Sequence, residues 1–428
     1  MFVAVAPQTP SAQEVTVPEK LTLAQAIAIA MERNPALAAV ESEEDIAVAS
    51  QVTARQHLNP ALTVESAGFP LSSEDRPGIF DAQELTVRLD QEIELGGRRA
   101  LRREAADAGL ITARLRIDDA RRVLTLDVQR AYFQAVLAAA DRDVSRASLE
   151  EIDRAIALNR ARMQQGEISG GDLRRLHVER LRFVDDVFAA ELALRNARSA
   201  LSALMNVPAL NQTFEAIEPL PIGPATAAST EPGVVGAVRT EVIGAQGAQL
   251  SLEALARRPD VLAARQDVVR ADTETRLQRA LRTPNLTVGA GYMRDFGTNA
   301  VVIGATLPLP LFNRNQGAIL RADAERRQAE RRADAASLRA RLEVQQAANA
   351  VDVTRERVRY IEREYLQTAR QSRDIVLASY RLGAADLIDF LDAQRAFRDT
   401  VRTYNRALYD QRISIFELAA AAGLPPVR

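Results

Sequence analysis

Residues 378 to 395 read A-S-Y-R-L-G-A-A-D-L-I-D-F-L-D-A-Q-R, and they predict two helices joined by a tight turn. Gly383 marks the turn, because glycine readily adopts the backbone conformation that ends a helix. A related stretch, A-R-M-Q-Q-G-E-I-S-G-G-D-L-R-R-L-H, covers residues 161 to 177, with Gly166 in the equivalent place. Gly383 follows Gly166 by 217 positions, and Asp389 follows Asp172 by the same interval. The chain therefore contains two copies of one helical hairpin.

The repeat extends well beyond the two turns. Asn34-Pro35 recurs 224 positions later as Arg258-Pro259. The segment from Pro60 to Val64 recurs from Pro284 to Val288 at the same interval. Each copy predicts a helix, a β-hairpin, a long helix, a turn and a returning helix. We therefore expect a tandem repeat that is mainly α with a small β part, in which the second hairpin loop is the shorter.

The repeat sets the expected boundaries along the chain. An N-terminal tail or signal remnant covers residues 1–20, and an irregular linker covers residues 208–249. The first repeat has a helix at 21–58, a β-hairpin at 59–96 and a long helical hairpin at 97–207. The second has a helix at 250–283, a β-hairpin at 284–312 and a helical hairpin with the C-terminus at 313–428.

Local signals add detail to these elements. Thr22 with Gln25 predicts a capping box at the start of the first helix, and Asn34-Pro35 predicts an interruption. Alternating apolar residues from Val301 to Leu311 predict the last strand of the second hairpin. The helix from Gly97 to Gly166 is ~100 Å long at 1.5 Å per residue.

Composition excludes several classes of function. The net charge of -2 argues against nucleic acid as a partner, and the absence of cysteine excludes thiol catalysis. His57 and His177 are the only histidines, and neither has a second ligand at metal-binding spacing. No cofactor fingerprint occurs. We expect no enzymatic activity, no catalytic residue, no bound metal and no cofactor.

The strands constrain the oligomeric state. Four strands cannot close a barrel, so their edges stay open. Lipid tolerates strands only in closed barrels, and the predicted strands are long enough to cross a bilayer. If the strands face lipid, three chains supply twelve of them. The competing interpretation is a soluble coiled-coil scaffold, which leaves the four alternating segments unexplained.

The sequence resembles the TolC-type outer-membrane efflux family from about Leu21 to Pro425. The doubled turn, at 166–173 and 383–390, carries the resemblance, together with two strand-to-helix junctions. The first junction is Q-E-I-E-L-G-G-R-R at 91–99, and its counterpart is L-P-L-P-L-F-N-R-N-Q-G at 307–317. Both junctions are most similar to those of the CzcC-like, cation-efflux branch.

The resemblance implies a homotrimer with a twelve-stranded β-barrel continuous with a long α-helical barrel. The β-barrel is expected in the lipid of the bacterial outer membrane, the helices in the periplasm, and the linker in an equatorial belt. The partners implied are a periplasmic adaptor protein and an inner-membrane pump of the RND type. The chain is then the exit duct for heavy-metal cations, or alternatively for drugs or for type I protein secretion.

The resemblance also implies roles for residues near the turns. Asp389 and Asp392 match the carboxylates that ring the narrow periplasmic aperture, although acids at such a turn also cap helices, as we expect of Asp386. Asp172 and Tyr380 match a pair that links neighbouring helices and holds the aperture closed.

The turns themselves match the surface that docks the adaptor protein. Gly166 and Gly383 are expected at the tips of the hairpins. Leu173 and Phe390 lie beside them as docking contacts or, as the residue types favour, as packing residues.

Overall fold

The computed structural model describes residues 18–67, 84–166, 169–207, 214–218, 252–295 and 297–424. Three expectations therefore lie wholly or mostly outside the described residues. They are the N-terminal tail at 1–17, the first hairpin loop at 68–83 and the linker at 208–213 and 219–249. The described part is mostly helical with a small amount of β-structure, as the sequence predicts.

The helices follow the repeat. In the first copy they are α1 (Leu23–Arg33), α2 (Pro35–Arg55), α3 (Arg98–Gln164) and α4 (Gly170–Leu204). In the second copy residues 252–257 are helical, followed by α5 (Pro259–Ala280), α6 (Gln316–Tyr360), α7 (Gln367–Arg381) and α8 (Leu387–Ala421). A π-helical turn, Ile361–Leu366, joins α6 to α7.

The strands form two sheets. β1 (Lys20–Leu21) pairs in parallel with β4 (Glu215–Ala216). The larger sheet contains β2 (Ala61–Ala67), β3 (Glu84–Ile93), β5 (Leu286–Asp295) and β6 (Thr298–Thr306). Its order is β2-β3-β5-β6, and every pair is antiparallel. The central pairing of β3 with β5 joins the two hairpins into one sheet.

The chain divides into two compact units. The first contains Met1–Ala38, Arg121–Ala254 and Leu342–Arg428, and it holds both helical turns. The second contains Ala39–Ala120 and Leu255–Arg341, and it holds the four-stranded sheet. Within the described ranges, no helix combines the length and the apolar character needed to cross a membrane.

Local signals at the first helix are confirmed. Thr22 Oγ1 accepts from the backbone of Gln25, whose side chain accepts from the backbone of Thr22, so the capping box is complete. Asn34 separates α1 from α2 and accepts from the first backbone N–H groups of α2, at 3.0 and 3.1 Å. Proline therefore starts the second helix here, because its missing N–H is not needed at that position.

The last strand is shorter than the alternation predicts. β6 ends at Thr306, although the alternation of apolar residues continues through Leu311. The reason is that Pro308 and Pro310 have no N–H to donate to a neighbouring strand. The prediction of a strand as far as Leu311 is therefore wrong, and residues 307–312 form an irregular segment whose large apolar side chains are exposed.

The described end of the linker is ordered against the N-terminal segment. Beyond the β1–β4 pairing, Tyr132 donates a hydrogen bond to the carbonyl of Leu21 at 2.8 Å and accepts one from the backbone of Glu218. Burial raises the pKa of the Tyr132 hydroxyl to about 12, so it stays protonated as a donor. The sequence analysis predicted an irregular linker and did not foresee this short sheet.

Two adjacent arginines begin α3 in the second unit. Arg98 is buried and donates to the carbonyls of Ala280 and Leu281, at the end of α5. Arg99 donates to the carbonyl of Arg55, the last residue of α2, at 3.0 and 2.7 Å. A cation at a helix C-terminus satisfies carbonyls that have no partner within the helix. The start of α3 thus caps one helix from each repeat.

Candidate functional site

The two helix turns form the candidate site, and both lie in the first unit. Gly166 and Gly383 each have φ of 78°. An added Cβ atom meets nothing within 4 Å at either position. The requirement for glycine is therefore one of backbone conformation alone, as the sequence predicts. At the second turn, the backbone N–H of Gly383 bonds to the carbonyl of Tyr380 at 3.1 Å.

The helices after the two turns are capped by different side chains. Ser169 caps α4 and accepts from the backbone N–H of Asp172 at 3.2 Å. Asp386, at the equivalent position 217 residues later, caps α8 and accepts from the N–H of Ile388 at 2.9 Å. The prediction that Asp386 acts as a helix cap is confirmed.

This difference changes the acid three residues further on. The Ser169 hydroxyl also donates to the carboxylate of Asp172 at 2.8 Å. The ionised carboxylate of Asp386 has no proton to donate to Asp389, so it cannot form the matching bond. Asp389 is exposed, and among the described residues its side chain has no hydrogen-bond or ion-pair partner. The two equivalent acids therefore differ, one being bonded and the other free.

Asp392 is also exposed but is not free. Its carboxylate lies 3.3 Å from the guanidinium of Arg395, one turn along α8. The side chain is 65% exposed, so water screens this pair. Of the two acids predicted at the aperture, Asp389 carries the less compensated charge.

Tyr380 is held in the protein interior near the second turn. Its ring stacks on Phe390 with centroids 4.8 Å apart, and its hydroxyl accepts a hydrogen bond from Nδ2 of Asn159. Burial raises the pKa of the hydroxyl. The predicted bond from Tyr380 to Asp172 is not among the hydrogen bonds of the described residues, where the Asp172 carboxylate accepts from Ser169 and the Tyr380 hydroxyl accepts from Asn159. The role of Asp172 and Tyr380 as a latch stays a prediction.

An apolar cluster packs the end of the hairpins, and α3, α4, α7 and α8 all contribute to it. It contains Ile152, Ile156, Leu176, Phe183, Tyr380, Phe390 and Leu391, with Leu173 packed against its edge. Phe390 is only 1% exposed, so it is a packing residue. Its side chain cannot contact an adaptor in this conformation. Leu382 and Ile388 are the exposed apolar residues beside the second turn.

Ionic contacts connect α8 to α4 further along the hairpins. Arg395 pairs with Glu179, and Arg398 pairs with Asp186. Arg402 approaches the same Asp186 carboxylate at 3.8 Å. Glu179 and Asp186 are seven residues apart, as are Arg395 and Arg402, so the pairs repeat every two helical turns. These contacts were not predicted, although the matching seven-residue spacing of the acids and arginines is present in the sequence.

The described residues offer no obvious site for a resident metal. No cluster of three or more histidine, cysteine, aspartate or glutamate side chains occurs in that part of the chain. His57 and His177 are both exposed; His57 lies between α2 and β2, and His177 lies on α4. The acids Asp172, Asp386, Asp389 and Asp392 are likewise exposed.

Duplicated helical hairpins and an antiparallel sheet open at both edges define the class of outer-membrane export channels. The chain belongs to the outer membrane efflux protein family, whose model matches residues 26–207 and 250–424. Members of this class are channels rather than enzymes, which agrees with the expectation from the sequence.

Two proteins of Cupriavidus metallidurans are similar to this chain. The cobalt-zinc-cadmium resistance protein CzcC is 27% identical over 381 residues, which are 88% of this chain and 83% of CzcC. The nickel and cobalt resistance protein CnrC is 26% identical over 335 residues, which are 77% of this chain and 72% of CnrC. Among solved structures, the outer-membrane channel OprN has a TM-score of 0.75 at 17% identity, covering 94% of this chain and 90% of OprN.

We expect Tyr380→Phe to open the channel more often. Phenylalanine keeps the stacking on Phe390 but removes the hydroxyl that Asn159 bonds to, at a cost of about 1 kcal/mol. Planar-bilayer recordings should show an increased open fraction. Asp172→Asn is the comparison, with a smaller effect, since its bond to Ser169 lies outside the apolar cluster. An unchanged open fraction in Tyr380→Phe would contradict this role for the hydroxyl.

Gly383→Ala should lower the free energy of unfolding by about 1–2 kcal/mol, because alanine adopts a positive φ poorly. No neighbouring atom contributes to that cost. Gly317→Ala is the matched control. Gly317 lies in α6 without a positive φ and with nothing near an added Cβ, so alanine should be neutral or stabilising there. Urea unfolding measures both, and equal effects would refute the argument from conformation.

Proposed function

We propose that three copies of this chain form one outer-membrane duct. Its twelve-stranded β-barrel lies in the outer membrane, and its α-helical barrel extends into the periplasm. The observation that carries the proposal is the pair of unpaired sheet edges, β2 and β6, in the described chain. Because an even number of antiparallel strands lies between them, β6 of one copy runs antiparallel to β2 of the next. Such a ring closes without leaving an edge.

The helices provide independent support for the same assembly. α4 exposes an apolar stripe of Val178, Leu181, Phe188 and Leu192, spaced along one helix face. The second repeat exposes apolar residues on α6 and α7, among them Leu342, Val353 and Ile375. Two different uncovered surfaces on one chain favour head-to-tail contacts, which close into a ring when the rotation fits.

The cargo and the partners follow from the relatives. CzcC and CnrC are named for resistance to cobalt, zinc, cadmium and nickel. We infer that this chain exports divalent heavy-metal cations in a tripartite, proton-driven system with a periplasmic adaptor and an inner-membrane pump of the RND type. Cations are the substrate of the duct, and the described residues contain no cluster of ligands for a resident metal. The exposed turns at Gly166 and Gly383 are the surface that meets the adaptor.

The acids at the second turn form the narrowest part of this duct. A three-fold axis brings Asp389 of each copy together, and Asp392 lies one helical turn beyond it. Carboxylates gathered around an aperture attract cations and repel one another. The carboxylate of Asp389 supports this assignment, because no described residue of its own chain pairs with it.

Deletion of the gene tests the proposed cargo. We expect the deletion strain to lose tolerance to Co²⁺, Zn²⁺, Cd²⁺ or Ni²⁺, and the wild-type gene to restore it. A strain that becomes sensitive only to drugs supports the alternative duct for drug export. Loss of a secreted protein supports type I secretion.

Fractionation of the cell tests the assembly separately. The proposed duct predicts a heat-resistant trimer in the outer-membrane fraction. A chain found only in the soluble fraction, without such a trimer, supports the coiled-coil scaffold. Phe188→Glu should weaken the trimer, because it places a charge in the middle of the α4 stripe.

A further inference from the structure

Three arginines in the second unit surround one open cleft. Arg279, Arg282, Thr283, Pro310 and Arg314 line this arginine cleft, whose volume is about 530 Å³. It lies between the end of α5 and the segment that follows β6. The volume is within the roughly 300–1,000 Å³ of ligand-binding clefts.

The three guanidinium groups keep free donors toward the cleft. Arg279 pairs with Asp323 through one nitrogen at 3.0 Å, and Arg314 uses Nε to donate to the carbonyl of Pro310 at 3.3 Å. Among the described residues, the side chain of Arg282 has no hydrogen-bond or ion-pair partner. Asp323 is the only acid bonded to any of the three in the described part of the chain. The cleft therefore carries an excess of positive charge with unused N–H groups.

An exposed apolar ribbon runs directly beside the cleft. It consists of Leu307, Leu309, Leu311 and Phe312, and the last three are 70%, 65% and 92% exposed. Pro310 belongs to both features, since it lies within the ribbon segment and lines the cleft. These four large apolar side chains are close together in sequence and exposed, immediately after the end of β6.

The backbone of the ribbon has fewer free donors than an ordinary segment of its length. Pro308 and Pro310 have no N–H group, and the N–H of Leu311 bonds to the carbonyl of Leu309 at 2.9 Å. Leu307, Leu309 and Phe312 keep their N–H groups. The two prolines and the bonded N–H lower the cost of contact with acyl chains, because unpaired backbone donors are costly in lipid.

We propose that the arginine cleft binds the phosphate of an anionic phospholipid whose acyl chains contact the apolar ribbon. The planar guanidinium group bonds phosphate oxygens in pairs, and the Thr283 hydroxyl supplies a further donor. Basic residues beside apolar side chains are the usual arrangement at the boundary between headgroups and acyl chains. The proposal rests on the outer-membrane location proposed above, which brings this end of β6 to a bilayer surface.

Native mass spectrometry of the detergent-purified chain tests the site, with phosphatidylglycerol as the probe and phosphatidylcholine of the same acyl length as the neutral comparator. We expect the wild type to prefer phosphatidylglycerol by about tenfold or more. The variant with Arg279→Gln, Arg282→Gln and Arg314→Gln should lose that preference. An equal preference in this variant and the wild type overturns the proposal.

A matched control removes the same charge elsewhere. Arg327→Gln, Arg331→Gln and Arg339→Gln neutralise three exposed arginines of α6 that have no side-chain partner among the described residues. Their combined variant should keep the preference, and its loss would show a non-specific effect of net charge and refute the cleft. Arg282→Gln alone, at an exposed and unpaired position, provides the same test if the triple variant does not fold.

Two further measurements distinguish a lipid from a soluble anion or a second copy. Leu309→Ser with Phe312→Ser should weaken phosphatidylglycerol binding, because the acyl contact is lost while the cleft is kept. Inorganic phosphate that displaces the lipid at equal concentration would make the cleft a soluble-anion site and overturn the lipid assignment. A ribbon variant that changes the oligomeric state but not lipid binding would also overturn the lipid assignment. A failure of the duct itself shows separately, as absence from the outer-membrane fraction.

Discussion

Asp389→Asn, present in all three copies of the assembled channel, is expected to weaken block by multivalent cations at least about tenfold. It should also reduce the preference for cations over anions. The reason is that Asp389 has no partner among the described residues, so in the proposed duct no described residue of the same chain offsets the charge that it brings to the aperture. Planar-bilayer recordings with the blocking cation on the periplasmic side measure both properties.

Asp392→Asn is the informative comparison for this prediction. Arg395 lies 3.3 Å from that carboxylate and offsets part of its charge, so the single change should have a smaller effect. The double variant should then resemble Asp389→Asn. Asp399→Asn, on the same helix and paired with Arg398, should leave block unchanged. Normal block in the double variant would exclude these acids from the aperture.

Arg98→Ala is expected to destabilise the chain by about 2–4 kcal/mol and to remove the heat-resistant trimer. Its guanidinium bonds to Asn285 at 2.6 Å as well as to the carbonyls of Ala280 and Leu281, and the side chain is buried. Truncation leaves these partly buried acceptors without their donor and opens a gap where the buried side chain was. Urea unfolding and gel mobility after heating measure the loss.

Arg98→Lys separates charge from geometry at this position. Lysine keeps the charge but lacks the planar group that reaches three acceptors, so most of the loss should persist. Arg99→Ala is the matched control, because it caps α2 from a more exposed position and should cost about 1 kcal/mol or less. Equal losses at the two arginines would contradict the importance of burial.

The sequence predicts most of the fold because local signals repeat. Each turn has a glycine that the backbone requires, and each copy interrupts its first helix at a proline. When one pattern occurs twice at a constant interval, chance is a poor explanation for either occurrence. Asp386 could be identified as a cap because its distance from Gly383 fits the start of a helix.

Contacts between distant helices were not predictable in the same way. The partner of the Tyr380 hydroxyl is Asn159, 221 residues away in sequence, and only packing brings them together. The bond from Ser169 to Asp172 is local, whereas no pattern in the sequence indicates that the Tyr380 hydroxyl bonds to Asn159. The end of β6 could have been predicted from Pro308 and Pro310. The alternation of apolar residues through Leu311 favoured a longer strand instead.

The different caps of the two turns have a consequence for the history of such channels. In a ring of six identical short chains, each mutation changes all six turns at once. In the duplicated chain, Ser169 holds one acid in place while Asp386 leaves the other free. Duplication therefore allows the charge of one set of turns to change while the other set keeps its bonded acid.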